Sequence, residues 1–128
     1  MSSLKILYAE DDPDIQMIAS MALEDIGGFT LRICDNGSEV LGAYQEYQPD
    51  LILLDVMMPE IDGPMALAQL QERFANSLPP VVFITAKAST QEIERLMALG
   101  ATAVITKPFN PMTLADDVQG IWSKNKNE

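Results

Sequence analysis

At 128 residues the chain is long enough for one compact domain with a real core, and 48% hydrophobic residues exclude disorder. Nineteen acidic against eight basic residues leave a net charge of −11, which repels anionic membrane surfaces and argues against direct nucleic-acid binding. No apolar run approaches the roughly 20 residues needed to span a bilayer, the N-terminus lacks a signal-peptide core, and the lone Cys34 cannot form an internal disulfide, so a reducing, cytoplasmic setting is expected.

Lys5-Ile-Leu-Tyr-Ala9 reads as a strand ending at Glu10-Asp11-Asp12-Pro13. Asp12 before Pro13 fits an N-cap and first helical position. Ile15, Ile18, Ala19, Ala22 and Ile26 then keep helical spacing up to a stop at Gly27-Gly28. Thr30-Leu-Arg-Ile-Cys34 alternates like a half-exposed edge strand. Asp35-Asn-Gly37 turns into a helix carrying Val40, Leu41, Tyr44 and Tyr47, closed before Pro49. Leu51-Ile-Leu-Leu runs unbroken into Asp55, the pattern of a strand covered on both faces, and Pro59 and Gly63 mark a loop after it. Pro64 opens a helix with Ala66, Leu67, Leu70 and Phe74 on one side.

The second half repeats the alternation. Val81-Val-Phe-Ile84 is another fully apolar strand, ending on Thr85. Ser89-Thr-Gln-Glu92 has capping-box spacing and leads into Ile93, Leu96, Met97 and a stop at Gly100. Ala103-Val-Ile105 is a short fifth strand before Thr106-Lys107-Pro108, and Asn110-Pro111 starts a last helix with Leu114, Val118, Ile121 and Trp122 inward. A polar tail is expected over residues 124–128, leaving one domain over 1–123. Five strands alternating with five helices predict an α/β fold, one parallel sheet with helices on both faces.

In a parallel sheet every strand-to-helix junction lies on one edge, where such folds place their ligands. Glu10, Asp11, Asp55, Thr85 and Lys107 then converge from distant positions. Taken singly, Asp11 is no more than a helix cap, Thr85 a turn residue and Lys107 a solvated charge; joint placement changes the reading. Clustered carboxylates repel one another, and oxygen ligands in loops suit a hard divalent ion such as Mg²⁺. With its charge balanced, Asp55 is able to act as a nucleophile toward phosphorus, needing no base in a chain without histidine.

These motifs closely resemble the receiver domain of two-component response regulators over nearly the whole chain: Ile-Leu-Tyr-Ala-Glu10-Asp11-Asp-Pro, Leu-Ile-Leu-Leu-Asp55-Val-Met-Met-Pro-Glu-Ile-Asp-Gly63, Phe-Ile-Thr85-Ala and Thr-Lys107-Pro-Phe109. The resemblance implies a flavodoxin-like, doubly wound sheet in the order 2-1-3-4-5. It implies Asp55 as phosphoacceptor, Thr85 as switch hydroxyl and Lys107 as phosphoryl-binding lysine. Mg²⁺ would be held by Asp11, Asp55, Glu10 (through water) and the Met57 backbone carbonyl, and the Lys107–Pro108 bond would be cis. It further implies a histidine kinase or histidine phosphotransfer protein as donor. A downstream protein would read the surface built from residues 93–99, residues 103–105 and the helix after Asn110. One departure stands out: Val104 occupies the position where many receivers carry an aromatic switch residue.

Three rivals remain at this point. A phosphatase working through an aspartyl-phosphate would want a second acid two residues beyond its nucleophile, where this chain has Met57. A receiver-like binding module that is never phosphorylated would not need the full acidic set. An FMN carrier would want a Ser/Thr/Gly-rich phosphate loop after the first strand, and none follows Ala9.

Overall fold

The computed structural model describes residues 4–126. Five parallel strands, β1 (Lys5–Ala9), β2 (Thr30–Cys34), β3 (Leu51–Asp55), β4 (Val81–Thr85) and β5 (Ala103–Thr106), make one sheet in the order β2-β1-β3-β4-β5. The helices between and after them are α1 (Pro13–Ser20), α2 (Val40–Tyr47), α3 (Gly63–Phe74), α4 (Thr90–Ala98) and α5 (Leu114–Lys126). Strand order, parallel pairing and the α/β class are as predicted.

Alternation along the strands divides the core in two. Ile6, Tyr8, Leu51 and Leu53 face α1 and α5, while Leu7, Ile52, Leu54 and Phe83 face α2, α3 and α4. β3 and β4 are buried along their whole length, which is why both read as unbroken apolar runs. β2, at the edge, is half-exposed, and its sequence alternates accordingly.

Register aligns the strand ends. Ala9 pairs with Leu54, which sets Glu10 level with Asp55; Thr85 pairs with Thr106, which sets Lys107 just beyond Thr85. The turn after β3 is tight enough to require glycine: a Cβ on Gly63 would lie 2.5 Å from the Asp55 carbonyl oxygen. Asp62 caps α3 by accepting from the Met65 amide, and Asp12 caps α1 by accepting from Asp14.

Several local expectations are corrected. After Ser20 the first helix widens into π-helical turns over Met21–Ile26, closed by the Gly27 N–H donating to the Ala22 carbonyl. Ala19, Ala22 and Leu23 face inward, whereas Ile18, before this segment, and Ile26, at its end, are exposed. Gly27 sits so close to α5 that a Cβ there would fall 2.7 Å from Ala115 Cβ. A 3₁₀ turn, Gly37–Glu39, precedes α2. β5 extends to Thr106, one residue further than read.

α5 begins later than its Asn110-Pro111 signal, because the Asn110 side chain and carbonyl first accept from Met112, Thr113 and Leu114 in a separate turn. It continues to Lys126, through the first residues of the stretch read as a polar tail. Lys124 lies near its C-terminus, where a cation complements the helix dipole. The rest of the expected tail, Asn127 and Glu128, and residues 1–3 of the leader reading lie outside the described residues. Among the described residues, no helix is long and apolar enough to cross a membrane.

Candidate functional site

The carboxyl ends of β1, β3, β4 and β5 bring together the residues singled out from the sequence. Glu10, Asp55 and Thr85 are buried, at 1%, 3% and 3% exposure. Lys107 reaches in from the loop after β5, its Nζ lying 3.0 Å from Glu10 Oε1 and 3.1 Å from Asp55 Oδ1. Its own backbone is pinned, the Lys107 N–H donating to the Thr85 carbonyl at 2.7 Å, and the Lys107–Pro108 peptide is cis. Asp11 is exposed, yet its carboxylate oxygen falls within 4.8 Å of those of Glu10 and Asp55.

Burial is the main influence on Asp55 and disfavours its charge. The Lys107 hydrogen bond opposes that and the nearby Glu10 charge adds to it, leaving the carboxyl pushed up from 3.8 to about 6. For Lys107, burial works against the ammonium but hydrogen bonds to Glu10 and Asp55 outweigh it, so its pKa is raised. One ammonium thus serves two buried carboxylates, with a third carboxylate at the mouth. An all-oxygen donor set with this excess of negative charge fits a hard divalent cation held by few protein ligands.

Thr85 Oγ1 accepts from the Lys87 N–H at 3.1 Å, which ties the start of the β4–α4 loop to the site and leaves the hydroxyl hydrogen to be donated elsewhere. Met57 lies in the loop after β3 and is 76% exposed. Val104 pairs with the buried Phe83 across the β4–β5 ladder and packs against the α2–α4 side of the core. An apolar hollow of about 360 Å³ lined by Ile15, Ile18, Pro108, Phe109 and Pro111 borders the aliphatic stem of Lys107.

Two contributors escape a reading by motif. The Tyr8 hydroxyl donates to Glu10 Oε1 at 3.1 Å, and Gln16 Nε2 donates to the Glu10 carbonyl and to Asp35 Oδ1. Burial and then the Glu10 charge drive the Tyr8 phenol far above its usual range, so it stays a donor. The signal for Tyr8 was present in its spacing, because residues i and i+2 of an extended chain share a face.

Compared with known proteins, residues 6–119 match the sequence profile of the response regulator receiver domain. The chain belongs to that family. Response regulator Rre1 of Synechocystis is 30% identical over 123 residues, covering 96% of this chain and 53% of that protein. The DNA-binding response regulator MtrA of Mycolicibacterium smegmatis is 33% identical over 124 residues, covering 97% and 53%. This receiver domain therefore spans about half the length of the curated relatives it matches. Among solved structures, the chemotaxis response regulator CheY4 of Vibrio cholerae superposes with a TM-score of 0.85 at 28% identity, covering 94% of this chain and 99% of that one.

Proposed function

We propose that this receiver domain is the phosphoacceptor of a two-component relay, with Asp55 taking a phosphoryl group from a phosphohistidine on a kinase or phosphotransfer protein. The observation that supports it best is the Lys107 ammonium bridging Glu10 and Asp55 at the end of the sheet, with Thr85 buried beside them. A carboxylate oxygen of Asp55 forms the new O–P bond as the donor's P–N bond breaks. The electron pair returns to the imidazole nitrogen, which is then protonated from water.

Lys107 turns its charge to the incoming phosphoryl oxygens, and the Thr85 hydroxyl donates to one of them. Mg²⁺, held by Asp11, Asp55, the Met57 carbonyl and a water on Glu10, would supply further positive charge to the same oxygens. When the Thr85 hydroxyl turns to the phosphoryl group it surrenders the Lys87 amide, and the β4–α4 loop follows. That repacks the α4-β5-α5 face, which a downstream protein reads. With Val104 in place of an aromatic, this change is one of backbone and packing. The apolar hollow beside Lys107 offers the donor protein a contact surface next to the chemistry. Nucleic acid is not a direct ligand of a domain with charge −11, and the setting is the cytoplasm.

The test is labelling by a small phosphodonor in Mg²⁺. Wild type takes up one phosphoryl group, Asp55→Asn takes none, and Lys107→Ala is labelled but shows smaller amide shifts in α4 and β5. Full labelling of wild type in excess EDTA, or of Asp55→Asn, would overturn the scheme.

A further inference from the structure

We propose that Tyr8 is a positioning residue for this site: its hydroxyl, sharing Glu10 Oε1 with the Lys107 ammonium, holds Glu10 in the orientation a divalent cation at the Asp11–Asp55 pocket requires. This rests on the phosphoacceptor reading and deepens it.

Tyr8 is wholly buried between β1 and the helices α1 and α5, where a phenol must find a partner for its O–H. It donates to Glu10 Oε1 at 3.1 Å, and the same oxygen accepts from Lys107 Nζ at 3.0 Å. The other oxygen, Oε2, accepts from the Asp12 amide at 3.1 Å. Of the roughly four acceptor positions on a carboxylate, three are therefore filled, and the remaining one lies on Oε2.

Glu10 is left able to receive one more hydrogen bond, the kind a cation's water shell makes, and is unable to swing. Lys107 is a partner that Glu10 has to share with Asp55, and it leaves when the ammonium turns to a phosphoryl group. The Tyr8 hydroxyl and the Asp12 amide stay. A core tyrosine that merely satisfied its own hydroxyl would affect stability alone; one that orients Glu10 also sets cation affinity. Groups that orient a metal's ligands typically govern affinity at the 10–100-fold level.

MgCl₂ titrations of the full chain, followed by the amide shifts of Asp11, Asp12 and Val56, test this. Tyr8→Phe keeps the ring and removes only the donor. It is expected to need about tenfold more Mg²⁺ for half-saturation, with labelling by a small phosphodonor restored to the wild-type rate once Mg²⁺ saturates. In a Glu10→Gln background the same substitution is expected to change affinity no further, because Tyr8 acts through Glu10. Equal Mg²⁺ affinity in wild type and Tyr8→Phe, or an undiminished effect in the Glu10→Gln background, overturns the proposal.

Should Tyr8→Phe fail to fold, the wild type still decides. A Tyr8 hydroxyl proton that stays protected from exchange in saturating Mg²⁺ supports the role, and its loss refutes it. A wild type that takes up neither Mg²⁺ nor phosphodonor brings down the phosphoacceptor reading and this inference together. A wild type that takes up both, matched by Tyr8→Phe, brings down this inference alone.

Discussion

Lys107 holds two buried carboxylates with one ammonium, and Asp55 bears the consequence, its carboxyl raised from 3.8 to about 6. A carboxyl raised on folding binds its proton where the unfolded chain has already released it. Its contribution to stability is thus present below about pH 4, lost as pH climbs to about 6, and level beyond. Without divalent cation, the urea midpoint of wild type should fall through this window relative to Asp55→Asn. At neutral pH that variant should be the more stable by on the order of 1 kcal/mol; matching pH profiles would count against the raised carboxyl. Asp55, Thr85 and Lys107 were legible because each ends or follows a strand in a parallel order. Tyr8 is harder to read, because a tyrosine inside an apolar strand reads first as core and its i, i+2 spacing from Glu10 is the one signal that gives its hydroxyl a partner.

Among the elements, α4 is held by few contacts. Leu96 is its one buried side chain, Gln71 reaches across from α3 to the Leu99 carbonyl at 2.9 Å, and the Glu92–Arg95 pair is on the surface. Deleting Leu96 should therefore loosen α4 before it loosens the sheet. Leu96→Ala is expected to lower stability by about 2–5 kcal/mol in urea and to speed amide exchange in α4 more than in α3. Equal acceleration in both helices would mean α4 is not a separate unit of opening. The strands were readable as elements because burial on both faces leaves no polar break in β3 and β4. Helix phase was less so. The spacing of Ile15, Ile18 and Ala22 fits a regular helix, and no residue type announces that winding changes after Ser20. The start of α5 was displaced because Asn110 is as good a partner for a turn as for a helix.

For the whole molecule, the acidic pocket belongs to a chain of net charge −11, so a bound divalent cation relieves both local and overall repulsion. A cation that binds only the folded state, at a hundred times its dissociation constant, adds about 2.7 kcal/mol. Mg²⁺ should raise the urea midpoint accordingly and EDTA should reverse the gain; an unchanged midpoint would argue that the carboxylates hold no metal. Fold and site were legible together because parallel β-strands force distant loops onto one rim, so the arrangement of the ends follows from the alternation of elements. The π-helical segment Met21–Ile26 has a practical corollary for protein engineering. It takes up about one residue more per turn than an α-helix. A gap-free alignment onto a relative whose first helix is regular would slip out of phase there. Grafting that relative's helix surface onto this chain therefore has to keep Leu23 inward and Ile26 at the surface beyond Ser20.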